Sequence, residues 1–209
     1  MAHLVLLGDS IFDNAPYVGK NPDVIEQLRE KLPDGWSATL KAIDGSKIND
    51  VHAQLELPAD ATHLILSVGG NNALSHLNIL NQSVISSTEV FNNLANISQE
   101  FEAQYHTLLQ KITKIGLPTV VCTIYYPSHS QYIERKIAIA ALATFNDVII
   151  KQAFQSGVPL IDLRLTCNES QDYANAIEPS ATGGAKIVNA IMNAVLEHNF
   201  SKPYTQVFY

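Results

Sequence analysis

His3-Leu4-Val5-Leu6-Leu7-Gly8-Asp9-Ser10 carries four consecutive apolar residues into a glycine, an aspartate and a serine. With no polar alternation, it reads as a strand buried on both faces that ends in a tight turn, where a hydroxyl is presented. Short β-branched or Leu-rich runs of the same kind recur at residues 37–42, 63–68, 119–125 and 158–163. Longer segments with helical periodicity lie between them. Asn21-Pro22 opens a helix over 23–32, Ser46 is placed to cap one over 47–55, and Gly116 with Pro118 ends a long helical run. A last helix over 181–198 aligns Ile187, Ile191 and Val195 on one stripe. This β-α alternation predicts an α/β fold, a three-layer α/β/α sandwich around a five-stranded parallel sheet. No repeat, low-complexity tract or linker divides the chain, so residues 1–209 are expected to form one domain.

Composition narrows the function. The 209 residues are 46% hydrophobic and 16% charged, which fits a core-forming chain, and the formal net charge is −7. An acidic chain lacks the clustered cations that a phosphate backbone requires, so nucleic acid is excluded as the expected partner. No continuous apolar run reaches the roughly 18 residues of a bilayer span, and residues 1–10 carry no cationic leader segment. The expectation is therefore a cytoplasmic protein without a membrane span. Cys122 and Cys167 have no metal-ligand spacing and read as buried free thiols. Four Asn-x-Ser sequons, at Asn81, Asn96, Asn168 and Asn199, carry no weight without an export signal.

In a parallel α/β sheet, ligands bind beyond the carboxyl ends of the strands. The loops there contain Gly8-Asp9-Ser10, Asp44-Gly45-Ser46 and Gly69-Gly70-Asn71-Asn72. Ser10 alone reads more readily as a helix cap. The three loops together fit an acyl-transfer site: a serine attacking a carbonyl generates an oxyanion, and glycine-turn amides with an Asn side chain supply donors aimed at it. Ser10, Gly45 and Asn71 fill those roles.

These blocks resemble the SGNH/GDSL hydrolases. The family's first block is Gly-Asp-Ser with the nucleophile, its second a glycine and its third Gly-x-Asn-Asp, and residues 175–187 are similar to its last block. The resemblance implies a flavodoxin-like fold and a serine hydrolase, an esterase or lipase-like acyl hydrolase acting on small esters or thioesters without a cofactor. It implies Ser10 as nucleophile and the Ser10 N–H, Gly45 N–H and Asn71 side chain as oxyanion hole.

The chain departs from this pattern where the family carries its base. Asn175 and Glu178 stand in place of the last block's Asp and His, and Asn72 in place of the third block's Asp. Three readings follow. Glu178 is the base, its pKa raised by burial and its carboxyl oriented by Asn175. A histidine from another loop reaches the site, His129 first and His76 next. Catalysis has been lost, leaving a relative that binds an acyl or carbohydrate ligand in the same crevice. The first is preferred. His3 and His63 are read as structural, and His52, His106 and His198 as helix-surface or core residues.

Two other classes have little support in the sequence. A flavin or nucleotide site lacks a phosphate-binding glycine motif, and Asp9 and Asp13 would repel a phosphate. A metal site on Asp9, Asp13 and Asp44 lacks supporting ligand spacing. Residues 77–96 read as either a lid or a surface loop, Tyr125, Tyr126 and Tyr132 as pocket or core aromatics, and the tail 201–209 as docking on its own domain or on a partner.

Overall fold

The computed structural model describes residues 1–128 and 132–209. Its strands are β1 (His3–Gly8), β2 (Ser37–Leu40), β3 (His63–Ser67), β4 (Thr119–Cys122), β5 (Leu160–Ile161) and β6 (Val207–Phe208). They form one sheet in the order β2-β1-β3-β4-β5-β6, and every neighbouring pair is parallel. The helices are α1 (Ala15–Val18), α2 (Val24–Lys31), α3 (Ile48–Gln54), α4 (Gly70–Leu74), α5 (Ser87–Lys114), α6 (Tyr132–Ser156), α7 (Leu163–Thr166) and α8 (Ala181–Glu197).

Successive β1 side chains feed opposite layers, because strand side chains alternate with period two. Leu4 and Leu6 pack with Val24, Leu28, Ile187 and Ile191 of α2 and α8. Val5 and Leu7 pack with Ile48, Val51, Tyr105 and Ile149 of α3, α5 and α6. A strand buried on both sides can carry no polar face, hence the unbroken Leu-Val-Leu-Leu run.

The expected α/β/α sandwich is present, with two corrections to its parts. The sheet has six strands, not five: the tail docks on its own fold, where the Leu160 and Asp162 amides donate to the Gln206 and Phe208 carbonyls at 2.9 and 2.8 Å. Two residues are too short to carry a strand signal in the sequence. Ser46 does not cap α3. Lys47 occupies the cap position, its amide donates to the Asp50 carboxylate at 2.8 Å, and the Ser46 hydroxyl accepts from Gln54 instead. Residues 77–96 divide into a short 3-10 turn (Leu77–Asn81), a connection and the first turns of α5, which Ser86 caps through Glu89.

Helix α6 bears on the membrane expectation. Its residues 133–156 are long and apolar enough, by length and composition alone, to cross a bilayer. Asp147 and Lys151 interrupt any continuous apolar run there, so a count of consecutive residues passes over it. About a third of its most apolar stretch is buried inside the fold, through Phe145, Val148, Ile149 and Ala153.

The chain runs from β1 outward to β2 and then crosses back to β3, so the strand order reverses at β1. A crevice opens there, between the ends of β1 and β3. Its width is set by Gly8, at φ 129°, where an added Cβ would lie 1.7 Å from the Ser67 carbonyl oxygen. Only glycine permits that approach. Gly8→Ala is expected to destabilise the fold by more than about 2 kcal/mol, since positive-φ strain and a backbone overlap act together. A denaturant midpoint within error of wild type would refute this.

Candidate active site

The turn after β1 is held from both sides. The Gly8 amide donates to Gln54 Oε1 at 2.7 Å, and Gln54 Nε2 returns a hydrogen bond to the Gly8 carbonyl at 2.9 Å. The Asp9 amide donates to the Ser67 carbonyl at 3.2 Å, and the Phe12 and Asp13 amides converge on the Asp9 carbonyl at 3.1 Å. Asp9 Oδ1 accepts from the Ile11 amide at 3.2 Å. Asp9 therefore does the capping that a serine could have done. The Ser10 side chain is left over, 6% exposed at the floor of the crevice, and its amide donates to no described residue.

The second and third loops meet beside it. Gly45 sits at φ 79° with open space where a side chain would be, and its amide has no partner among the described residues. Asn71, in the first turn of α4, donates through Nδ2 to the Ser46 carbonyl at 3.1 Å. That uses one of its two amide hydrogens and fixes the group, leaving the second. The neighbouring Asn72 accepts from the Ile48 amide at 3.1 Å, tying α4 to the start of α3.

Glu178 arrives from the loop before α8. Asn175 Oδ1 accepts from the Ile177 and Glu178 amides at 2.9 and 3.0 Å, and the Ala174 amide closes on the Glu178 carbonyl at 2.9 Å. Asn175 thus orients Glu178 through its backbone and not by touching the carboxyl. Three further ties anchor the turn: Asn14 Nδ2 to the Pro179 carbonyl at 3.1 Å, the Tyr125 hydroxyl to the Ile177 carbonyl, and the Ser128 amide to the Ala176 carbonyl at 2.8 Å. The carboxyl lies close enough to the Ser10 hydroxyl to feel it electrostatically, and Oε2 is buried with no hydrogen-bond partner among the described residues. Ser10, Asn71 and Glu178 all line one cavity of about 740 Å³.

Charge is concentrated here with one sign. Burial pushes the Asp9 carboxyl up to about 7, with the negative charges of Glu178 and Asp44 adding to the shift and the Ile11 amide opposing it. Burial also raises Glu178, reinforced by Asp44 and opposed by contact with the Ser10 hydroxyl. Asp44 is held by the Tyr17 hydroxyl at 2.6 Å, and its amide donates to Asp13 at 2.8 Å. No group of three or more potential ligands suited to a metal ion occurs among the described residues.

Of the histidines, His76 lines the same cavity. His129 lies outside the described residues, as does the side chain of Tyr132. His3 pairs with Asp60 at 2.9 Å, His106 with Gln152 at 2.7 Å, and His198 lies edge-on to Phe200 and Phe208 and tilted against Tyr204. Both cysteines are buried, and burial pushes their thiols up.

A parallel α/β sandwich with a serine, amide donors and a carboxyl gathered at its switch point defines an acyl-hydrolase type of crevice. The chain belongs to the GDSL-like lipase/acylhydrolase family, whose model matches residues 6–186. The family acts on esters. Among curated proteins, no sequence matches it. Solved structures share the fold: an extracellular lipase from Streptomyces rimosus at 17% identity, covering 93% of this chain and 100% of that one with a TM-score of 0.71. An acetyl xylan esterase, AlAXEase, has 19% identity, the same coverages and a TM-score of 0.68. A phospholipase A1 from Streptomyces albidoflavus NA297 has 15% identity, coverages of 92% and 99%, and a TM-score of 0.66.

Sequence reasoning missed Gln54 and Asn14, both buried and both tying site loops together. Gln54 had a legible signal: it shares the Ile48-Val51 face of α3, where a buried amide needs partners. Asn14 had none. The Asp9 shift carries a stability consequence. Between its ordinary value of 3.8 and about 7, the folded state holds a proton that the unfolded state releases, so stability falls as pH rises through that window. Asp9→Asn is therefore expected to gain in Tm relative to wild type on going from pH 5 to pH 8. An unchanged difference across that range would refute the assignment.

Proposed function

We propose that the protein hydrolyses carboxylic esters or thioesters through an acyl-enzyme on Ser10, with Glu178 as the proton acceptor. The observation that carries this reading is that Ser10 and the buried Glu178 carboxyl share one cavity, which Asn71 also lines. The ionised Glu178 takes the Ser10 proton as Oγ bonds to the carbonyl carbon. Negative charge then moves to the carbonyl oxygen, where the Ser10 and Gly45 amides and the free Asn71 amide hydrogen stabilise it. Collapse breaks the bond to the leaving alcohol or thiol, which departs with the proton from Glu178. Water repeats the sequence on the acyl-enzyme, giving the carboxylic acid and free Ser10.

Gln54 and Asn14 take no part in bond making. They hold the nucleophile turn and the base loop at a fixed separation, and a misplaced base costs rate steeply.

The test is turnover of p-nitrophenyl butyrate from acid to alkaline pH, with product read after quenching at one pH. Ser10→Ala is expected to abolish turnover, and Glu178→Gln to lower kcat by about 10²–10⁴. Because Glu178 must be ionised and burial raises its pKa, the acid limb should fall above the ordinary carboxylate range of about 4. Glu178→Gln should erase that limb. Full activity with an unchanged profile in Glu178→Gln would overturn the assignment and direct the search to His129 or His76.

A further inference from the structure

The cavity that holds Ser10 extends far beyond it, between the 74–97 segment and the first half of α6. Its walls away from the serine are aliphatic: Leu77 and Leu80 on one side, Ile137 and Leu142 on the other, with Ala138 and Ala141 leaving the room between them. Leu77, Leu80 and Ile137 are 52, 53 and 42% exposed, so this is apolar surface held open to solvent and not a collapsed core. An acetyl group on Ser10 would leave most of the roughly 740 Å³ filled with water against those walls. Charge completes the description. The charged residues lining the cavity are Asp9, Glu134 and Glu178, all acidic, and no lysine or arginine lines it among the described residues.

We infer that this groove is an acyl site for an unbranched apolar chain, octanoyl or longer, presented as a neutral ester and rejecting the free fatty acid anion. This rests on the Ser10 hydrolase reading and narrows its substrate. The aliphatic walls bind the chain by removing its methylenes from water, a gain that scales with chain length. The carbonyl end lies at Ser10, which the groove reaches without a break. After hydrolysis the product carboxylate sits among like charges in a partly dry site, so it is expelled. Sugar acetates would use the serine and leave the groove empty, and an acyl group carried on a phosphate would meet no cation near it.

The experiment is kcat/KM on the p-nitrophenyl acetate, butyrate, octanoate and laurate series, in wild type and in two groove variants. Wild type is expected to gain about three- to fourfold per added methylene, or about a hundredfold from butyrate to octanoate. Ala141→Phe, which fills the groove, and Leu80→Asp, which charges an exposed wall, should each lower the octanoate-to-acetate ratio at least tenfold. Wild type that prefers acetate, with turnover lost in Ser10→Ala, would overturn the groove assignment and leave the serine reading intact. If no ester in the series is cleaved, the serine reading fails, and the groove is judged by equilibrium binding of p-nitrophenyl octanoate to Ser10→Ala protein. Retained octanoate ester, weakened by Ala141→Phe and at least tenfold tighter than octanoate anion at pH 8, upholds the groove. No binding, or equal binding of the anion, overturns it.

Discussion

The site depends on the approach of two strand ends. Gly8 presses its backbone against the Ser67 carbonyl so closely that no side chain fits between them. Both hydrogen-bonding groups of Gly8 engage one buried amide, Gln54, and the Gly8 carbonyl also accepts from the Ile43 amide at 3.1 Å. Release of that clamp would leave the buried Gly8 amide unpaired, a cost the fold avoids by keeping β1 and α3 together. Gln54 also reaches the Ser46 hydroxyl, and the Ser46 carbonyl accepts from Asn71. One buried side chain therefore links the nucleophile turn to the second and third loops, and the positions of Ser10, Gly45 and Asn71 are not independent variables.

Much of this was legible from sequence, and for a definite reason. A strand buried on both faces has no polar alternation, so Leu4 to Leu7 announces a sheet covered on both sides, and Gly8 announces a backbone that needs positive φ. Loops at the carboxyl ends of such strands are known places to look. The parts that escaped are held by contacts with no local signature. The strand Val207–Phe208 exists because β5 offers an open edge to a tail that could have gone elsewhere. The orientation of Glu178 comes from Asn14, Tyr125 and Ser128, which lie far from it in sequence. Asn175 meets Glu178 through two backbone amides and not through its carboxyl, a route with no local signature. The apolar length of α6 escaped because its apolar residues surround the axis, giving neither an amphipathic stripe nor an unbroken run.

The acidic character of the crevice looks adverse at first. Asp9, Asp44 and Glu178 crowd a site where the proposed reaction builds further negative charge, and no lysine or arginine lines it among the described residues. The balance turns on what a carboxylate base does that an imidazole does not. An imidazole becomes a cation on taking the serine proton and then attracts the oxyanion. Glu178 becomes neutral, so the transfer moves a charge and creates none. Burial and the neighbouring carboxylates destabilise ionised Glu178, which is the same as strengthening it as a base. Repulsion relieved at Glu178 offsets repulsion felt at the oxyanion, provided that the amides of Ser10, Gly45 and Asn71 take the displaced charge. Asp9 limits the opposing term, since with a pKa of about 7 it is largely protonated below neutral pH and adds little negative charge there. On this argument the replacement of histidine by glutamate and the acidic surroundings belong together. A carboxylate in a cation-rich pocket would be held ionised and would be a poor acceptor, whereas here the pocket favours its protonated form.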